Sequence, residues 1–139
     1  LSLYKKTESV LYNYKNTVAE IKNIDLEIEH IEYVGCGAMS YEEKSAPTNQ
    51  FSSSVENEVI SREKRKQQLS YLKVENMLLV NKINNALETL DSRSHDIITM
   101  KYFNNLNYRD ISIKLDLTEE YIGNLKKEII RKLSCLIFV

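Results

Sequence analysis

The sequence predicts an all-α protein: a long helical hairpin or coiled coil followed by a compact helix-turn-helix. Three observations predict it. Only three glycines and one proline occur in 139 residues, so sharp turns are scarce and long helices are favoured. Apolar residues recur at steps of three and four over two long stretches. From residue 91 onward the rhythm changes to short periodic runs with tight, capped breaks.

The first long stretch spans about residues 4–33. Leu11, Tyr14, Val18, Ile21, Ile24, Ile28 and Ile31 fall on one stripe, with a spacing close to that of coiled coils. Residues 35–54, "GCGAMSYEEKSAPTNQFSSS", hold two glycines, the proline and a serine run, and read as a loop. Ser53 with Glu56 forms a candidate capping box, with Ser52 and Ser54 as competing caps. The second long helix is expected over about 55–89. Its stripe runs Val55, Val59, Leu69, Leu72, Leu79, Ile83, Leu87 and Leu90, interrupted by the charged run "SREKRKQQ". Each stripe is narrow and calls for a partner helix, so residues 1–90 are expected to form a hairpin or dimerisation region.

Residues 91–139 are expected to form a separate helix-turn-helix domain. "SRSHDIITMKYF" places Ile97, Ile98, Met100 and Tyr102 near one side. "YRDISIKL" is a short helix capped by Asn107. After a tight "DL" connection, Thr118 caps the last helix, whose inner face is Ile122, Leu125, Ile129 and Leu133. Gly123 stands unexpectedly inside that helix, and Glu119 and Glu120 open it, where acids suit the macrodipole.

Charge is uneven. Residues 1–34 balance at −2, 35–59 at −3, 60–90 at +3 and 91–139 at +1, for a net −1. An acidic front and a mildly basic rear are compatible with one face near nucleic acid. Cys36 and Cys135 match no zinc or redox spacing, and His30 and His95 have no partners at metal spacing. No phosphate loop, nucleophile elbow or zinc-protease motif occurs, so neither catalysis nor a cofactor is expected. No apolar run approaches the ~18 residues of a membrane span, and no signal peptide is seen. A cytoplasmic protein with no membrane partner is the expectation.

A capped second helix in this arrangement presents its N-terminal half outward, as a major groove would receive it. The expected base-reading residues are Glu120, Tyr121, Asn124 and Lys127. Glu120 would accept from cytosine N4, and Asn124 would bond adenine bidentately. The expected phosphate contacts are Tyr108, Arg109, Thr118, Lys126 and Arg131, with Lys101, Lys114 and Lys132 as further cations.

The segment "NALETLDSRSHDIITMKYFNNLNYRDISIKLDLTEEYIGNLKKEIIRKL" resembles region 4 of sigma-70-type factors. The matching residues include Leu87, Leu90, Tyr102, Tyr108, Asp110, Ile111, Leu115, Leu117, Thr118, Ile122 and Leu133. The resemblance implies a DNA-reading helix-turn-helix. Glu120 keeps the glutamate of that pattern, and Asn124 stands at its glutamine position. Glu119, Tyr121 and Gly123 replace the usual arginines, so the usual sigma promoter hexamer is not implied. The layout of the whole chain is similar to ArpU-like and RinA-like late transcription regulators of phages and prophages. That likeness implies an activator of late operons, a sequence-specific transcriptional regulator on double-stranded DNA, and the long helices are expected to make it a homodimer. Two alternatives are an interaction protein that binds RNA polymerase or a sigma factor, and a small terminase-type DNA-packaging component.

Overall fold

A computed structural model describes residues 2–42 and 49–139, and side-chain surroundings outside 36–53. The all-α class is borne out: the described residues form helices joined by turns. They are α1 (Leu3–Tyr12), α2 (Tyr14–Glu42), α3 (Asn49–Leu87), α4 (Ser92–Ile98), a π-helical turn (Thr99–Phe103), α5 (Tyr108–Leu115) and α6 (Glu119–Ile137).

The helix boundaries depart from the sequence reading in three places. The first long helix is broken at Asn13, whose φ of −90° and ψ of 2° leave the helical region. The next two helices reach into the expected loop 35–54. α2 continues to Glu42 and α3 starts at Asn49, so a cap at Ser52, Ser53 or Ser54 does not open α3. A glycine in a helix costs only about 1 kcal/mol, and serine less, so neither type stops a helix by itself. The expected turn around Pro47 lies outside the described residues. The third departure is in "SRSHDIITMKYF", where the α-helix widens to a π-turn after Ile98. There the Asn104 N–H reaches back five residues to the Thr99 carbonyl, at 2.9 Å.

The chain divides into two compact units. One is Ala19–Met77, the paired parts of α2 and α3. Glu32 pairs with Lys66 at 2.9 Å, and Asp25 pairs with Lys73. Seven residues back on α2 match seven forward on α3, which is antiparallel register. Ile24 and Leu69 are buried in this hairpin, but Arg62, Lys66, Lys73 and Asn76 share the inner face of α3. The Asn76 Nδ2 is buried and finds no hydrogen-bond partner among the described residues. On the outward side of α3, Ile60, Tyr71 and Val74 are 64%, 70% and 63% exposed.

The other unit joins the N-terminal Leu1–Val18 to Leu78–Val139. Two buried clusters hold it. In the larger, Leu11 of α1 packs with Ile83 and Leu87 of α3, Ile98, Tyr102, and Ile130, Leu133 and Ile137 of α6. The smaller is the helix-turn-helix core: Ile97, Ile111 and Ile122, flanked by Tyr108, Leu115, Leu117 and Leu125. The neighbouring Ile97 and Ile98 of α4 go to different clusters, Ile97 to the smaller and Ile98 to the larger, which the π-turn also supplies with Tyr102. The C-terminal "CLIFV" packs through Ile137, which is 1% exposed.

Candidate nucleic-acid interface

The turn between α5 and α6 is made without glycine. Asp116 closes α5 in the left-handed region, at φ 54° and ψ 48°. Aspartate tolerates that conformation better than most residues. The Leu117 N–H then bonds the Ser112 carbonyl at 3.2 Å, and the Ser112 hydroxyl donates to the Leu117 carbonyl. Asn107 caps α5 by accepting from the Asp110 N–H at 2.8 Å. Thr118 caps α6 by accepting from the Tyr121 N–H at 3.2 Å. These local bonds fix where the outer face of α6 begins.

On that face Glu120, Asn124, Lys127 and Arg131 step by four, three and four along one exposed stripe, with Tyr121 beside them, 45% exposed. Among the described residues none of these side chains enters an ion pair within the chain. The structure thus brings together all four expected base-reading residues, and Arg131 with them. Arg109 is exposed at the start of α5, beside half-buried Tyr108. Thr118 is exposed, with its oxygen engaged in the cap.

Lys126 lies elsewhere. It is 8% exposed, and its Nζ lies 3.5 Å from the Glu8 carboxylate of α1. The same ammonium sits 5.7 Å from the ring centres of both Tyr4 and Tyr108. The physical reason is its register: Lys126 follows Ile122 by four and precedes Ile130 by four, both fully buried. Helical spacing therefore carries it to the edge of the core rather than to the open face. Glu8 also accepts a 2.7 Å hydrogen bond from the Tyr102 hydroxyl, and the Tyr102 ring meets Tyr12 edge-on at 4.7 Å. Sequence reading missed this cluster, because nothing in it signals that residues 4–12 pack on the last helix.

The environment shifts two of these groups. Burial, then the bond to the Glu8 carboxylate, raises the Tyr102 hydroxyl well above the ordinary phenol range. Burial works against the Lys126 charge, but Tyr108, Tyr4 and Glu8 outweigh it, and its proton is held above the usual lysine range. Both folded values are raised, so both contributions are complete below the unfolded values of about 10 and are lost as pH rises through the folded ones. Urea unfolding should therefore show constant stability from about pH 7 to 9 and a fall above about pH 10. Tyr102→Phe should make that fall shallower, whereas an identical alkaline profile in the variant would remove Tyr102 from the account.

No His, Cys, Asp or Glu cluster able to hold a metal occurs among the described residues, and no described helix is long and apolar enough to cross a membrane. The geometry defines a helix-turn-helix with an open, polar second helix. A family model described as sigma-70, region 4 matches residues 86–134, about a third of the chain. The unit is thus a sigma region 4-like helix-turn-helix, and the match points to a DNA-binding regulator. No curated protein and no solved structure matches the chain.

Proposed function

We propose that this chain is a sequence-specific DNA-binding transcriptional regulator, and specifically a late-gene activator of a phage or prophage. The observation that carries the reading is the exposed stripe Glu120, Asn124 and Lys127, with Tyr121 beside it, on the first half of a capped α6 in a region 4-like unit. Carboxylate, amide and ammonium there match cytosine N4, adenine N6/N7 and guanine O6/N7. Tyr108, Arg109, Thr118 and Arg131 are the phosphate set, which fixes register without reading sequence. The layout of long helices ahead of a sigma-like unit supports the late-regulator assignment.

In this reading residues 91–139 read DNA and the helical region 1–90 makes the protein a homodimer in the cytoplasm. The outward Ile60, Tyr71 and Val74 of α3 support self-association, since they fall on one heptad stripe with no cover in the hairpin. Paired recognition helices then suit half-sites about 34 Å apart. Gly123 fits the same picture. A Cβ built there meets nothing within 4 Å, so the free protein has room for alanine. A bare backbone at that point has its use against DNA, where α6 comes closest to the base edges.

A shift titration on duplex DNA at two salt concentrations tests the reading. Affinity should fall steeply with salt, as counterion release requires. Glu120→Ala with Asn124→Ala should relax site preference by about 1–3 kcal/mol per lost base contact and leave the fold intact. Unchanged preference in the double variant would reject this reading face. The net charge of −1 favours a second reading, a protein that docks on RNA polymerase or a sigma factor. Salt-insensitive capture of purified polymerase with no duplex binding would select it.

A further inference from the structure

The first turn of α1, the π-turn and the start of α5 converge on two tyrosines. Lys101 Nζ lies 4.8 Å over the Tyr108 ring, and Lys126 Nζ stands 5.7 Å from both Tyr108 and Tyr4. The residue after Tyr4 is the exposed Lys5, and the residue after Tyr108 is the exposed Arg109.

The direction of Lys5 follows from helical spacing. Lys5, Glu8 and Tyr12 are separated by three and four residues and share one flank of α1. That flank faces the π-turn, because Glu8 accepts from the Tyr102 hydroxyl and the Tyr12 ring meets Tyr102. Lys5 is one turn further toward the Tyr4 end of the same flank, where Tyr4 shares the Lys126 ammonium with Tyr108. The Glu8 carboxylate does not cancel the Lys5 charge. It is already bonded to Tyr102 and paired with Lys126. Lys6 follows on the side of α1 remote from Tyr4, also exposed.

We propose that the first turn of α1 is part of the DNA interface, with Lys5 contacting a backbone phosphate next to those met by Lys101 and Arg109. The ligand is the phosphodiester backbone of the duplex flanking the site read by α6. The contact carries affinity and register, not sequence. It lies far outside the segment that matches region 4, and it rests on the DNA-binding reading given above. It gives the N-terminal helix a role beyond packing: α1 is the buried wall of the unit on one side and a cationic rim on the other.

The test compares the full chain with Lys5→Ala and Lys6→Ala in shift titrations over a range of salt. Thermal unfolding confirms that both variants fold, since the Lys5 and Lys6 side chains are exposed. Lys5→Ala should lower the slope of log affinity against log salt by about one, as for one lost phosphate. It should weaken preferred and unrelated duplexes alike, while Lys6→Ala keeps the unaltered slope. Equal slopes for Lys5→Ala and the unaltered chain overturn the proposal. So do equal losses in Lys5→Ala and Lys6→Ala, which mark a diffuse charge effect. Absence of duplex binding by the unaltered chain overturns the DNA-binding reading itself, a result distinct from either.

Discussion

Leu11→Ala should destabilise the helix-turn-helix unit by about 2–5 kcal/mol, the range for removing a large side chain from a closed core. Leu11 is fully buried and packs with Ile83, Ile98, Ile130, Leu133 and Ile137, although it precedes the region 4-like segment by 75 residues. Its loss leaves a cavity in the larger cluster, where the half-buried Tyr4 and Val10 remain as apolar contacts of α1. Because the chain has two units, the readout must be local. Hydrogen exchange at the Ile129–Leu133 amides reports the opening of α6 directly. Protection should fall by roughly two orders of magnitude, since about 1.4 kcal/mol corresponds to a factor of ten. Protection within a factor of two of the unaltered chain would mean that α1 is not structural for this unit. The same packing predicts that a fragment of residues 86–134 folds poorly, since it lacks Leu11, Ile83 and Ile137.

Glu8→Ala should be the second large loss, about 2–4 kcal/mol. It removes at once the counter-charge of Lys126 and the acceptor of the Tyr102 hydroxyl, leaving a largely buried ammonium and a buried donor unpaired. The Lys126 side chain is 10% exposed and that of Glu8 24%, so solvent screens the pair only in part. The double variant Glu8→Ala with Lys126→Met should recover much of the stability, because the stranded charge goes with its partner. A double variant as unstable as the sum of the two singles would deny the coupling. The variant also exposes a difference of role: Lys126 belongs to the docking of α1, not to the phosphate contacts expected of it.

Most of the architecture is legible in the periodicity. The stripe from Leu11 to Ile31 avoids exposure along its whole length, and the inner face Ile122, Leu125, Ile129 and Leu133 is buried or half-buried as spaced. Side-chain caps are legible too, because Asn107 and Thr118 act through bonds to residues three ahead. What hides is whatever depends on partners distant in sequence. Lys126 reads as one of four cations on a basic helix until the burial of Ile122 and Ile130 fixes its side. Tyr4, Glu8 and Tyr102 carry no motif, and only tertiary packing brings them together. The helix ends at Glu42 and Asn49 were obscured for another reason. Glycine and serine lower helix propensity without forbidding helix, so a composition that reads as loop does not by itself end one. The exposed stripe on α6 was readable because it is the complement of a core stripe within one helix.

The central claim is that the outer face of α6 reads a DNA sequence. Selection of duplexes from a random pool by the full chain, repeated with Asn124→Ala and Tyr121→Ala, tests it most directly. The unaltered chain should recover one recurrent sequence, and the two variants should relax the preference at separate base positions. A pool that stays random, or a recovered sequence unchanged in both variants, would contradict it.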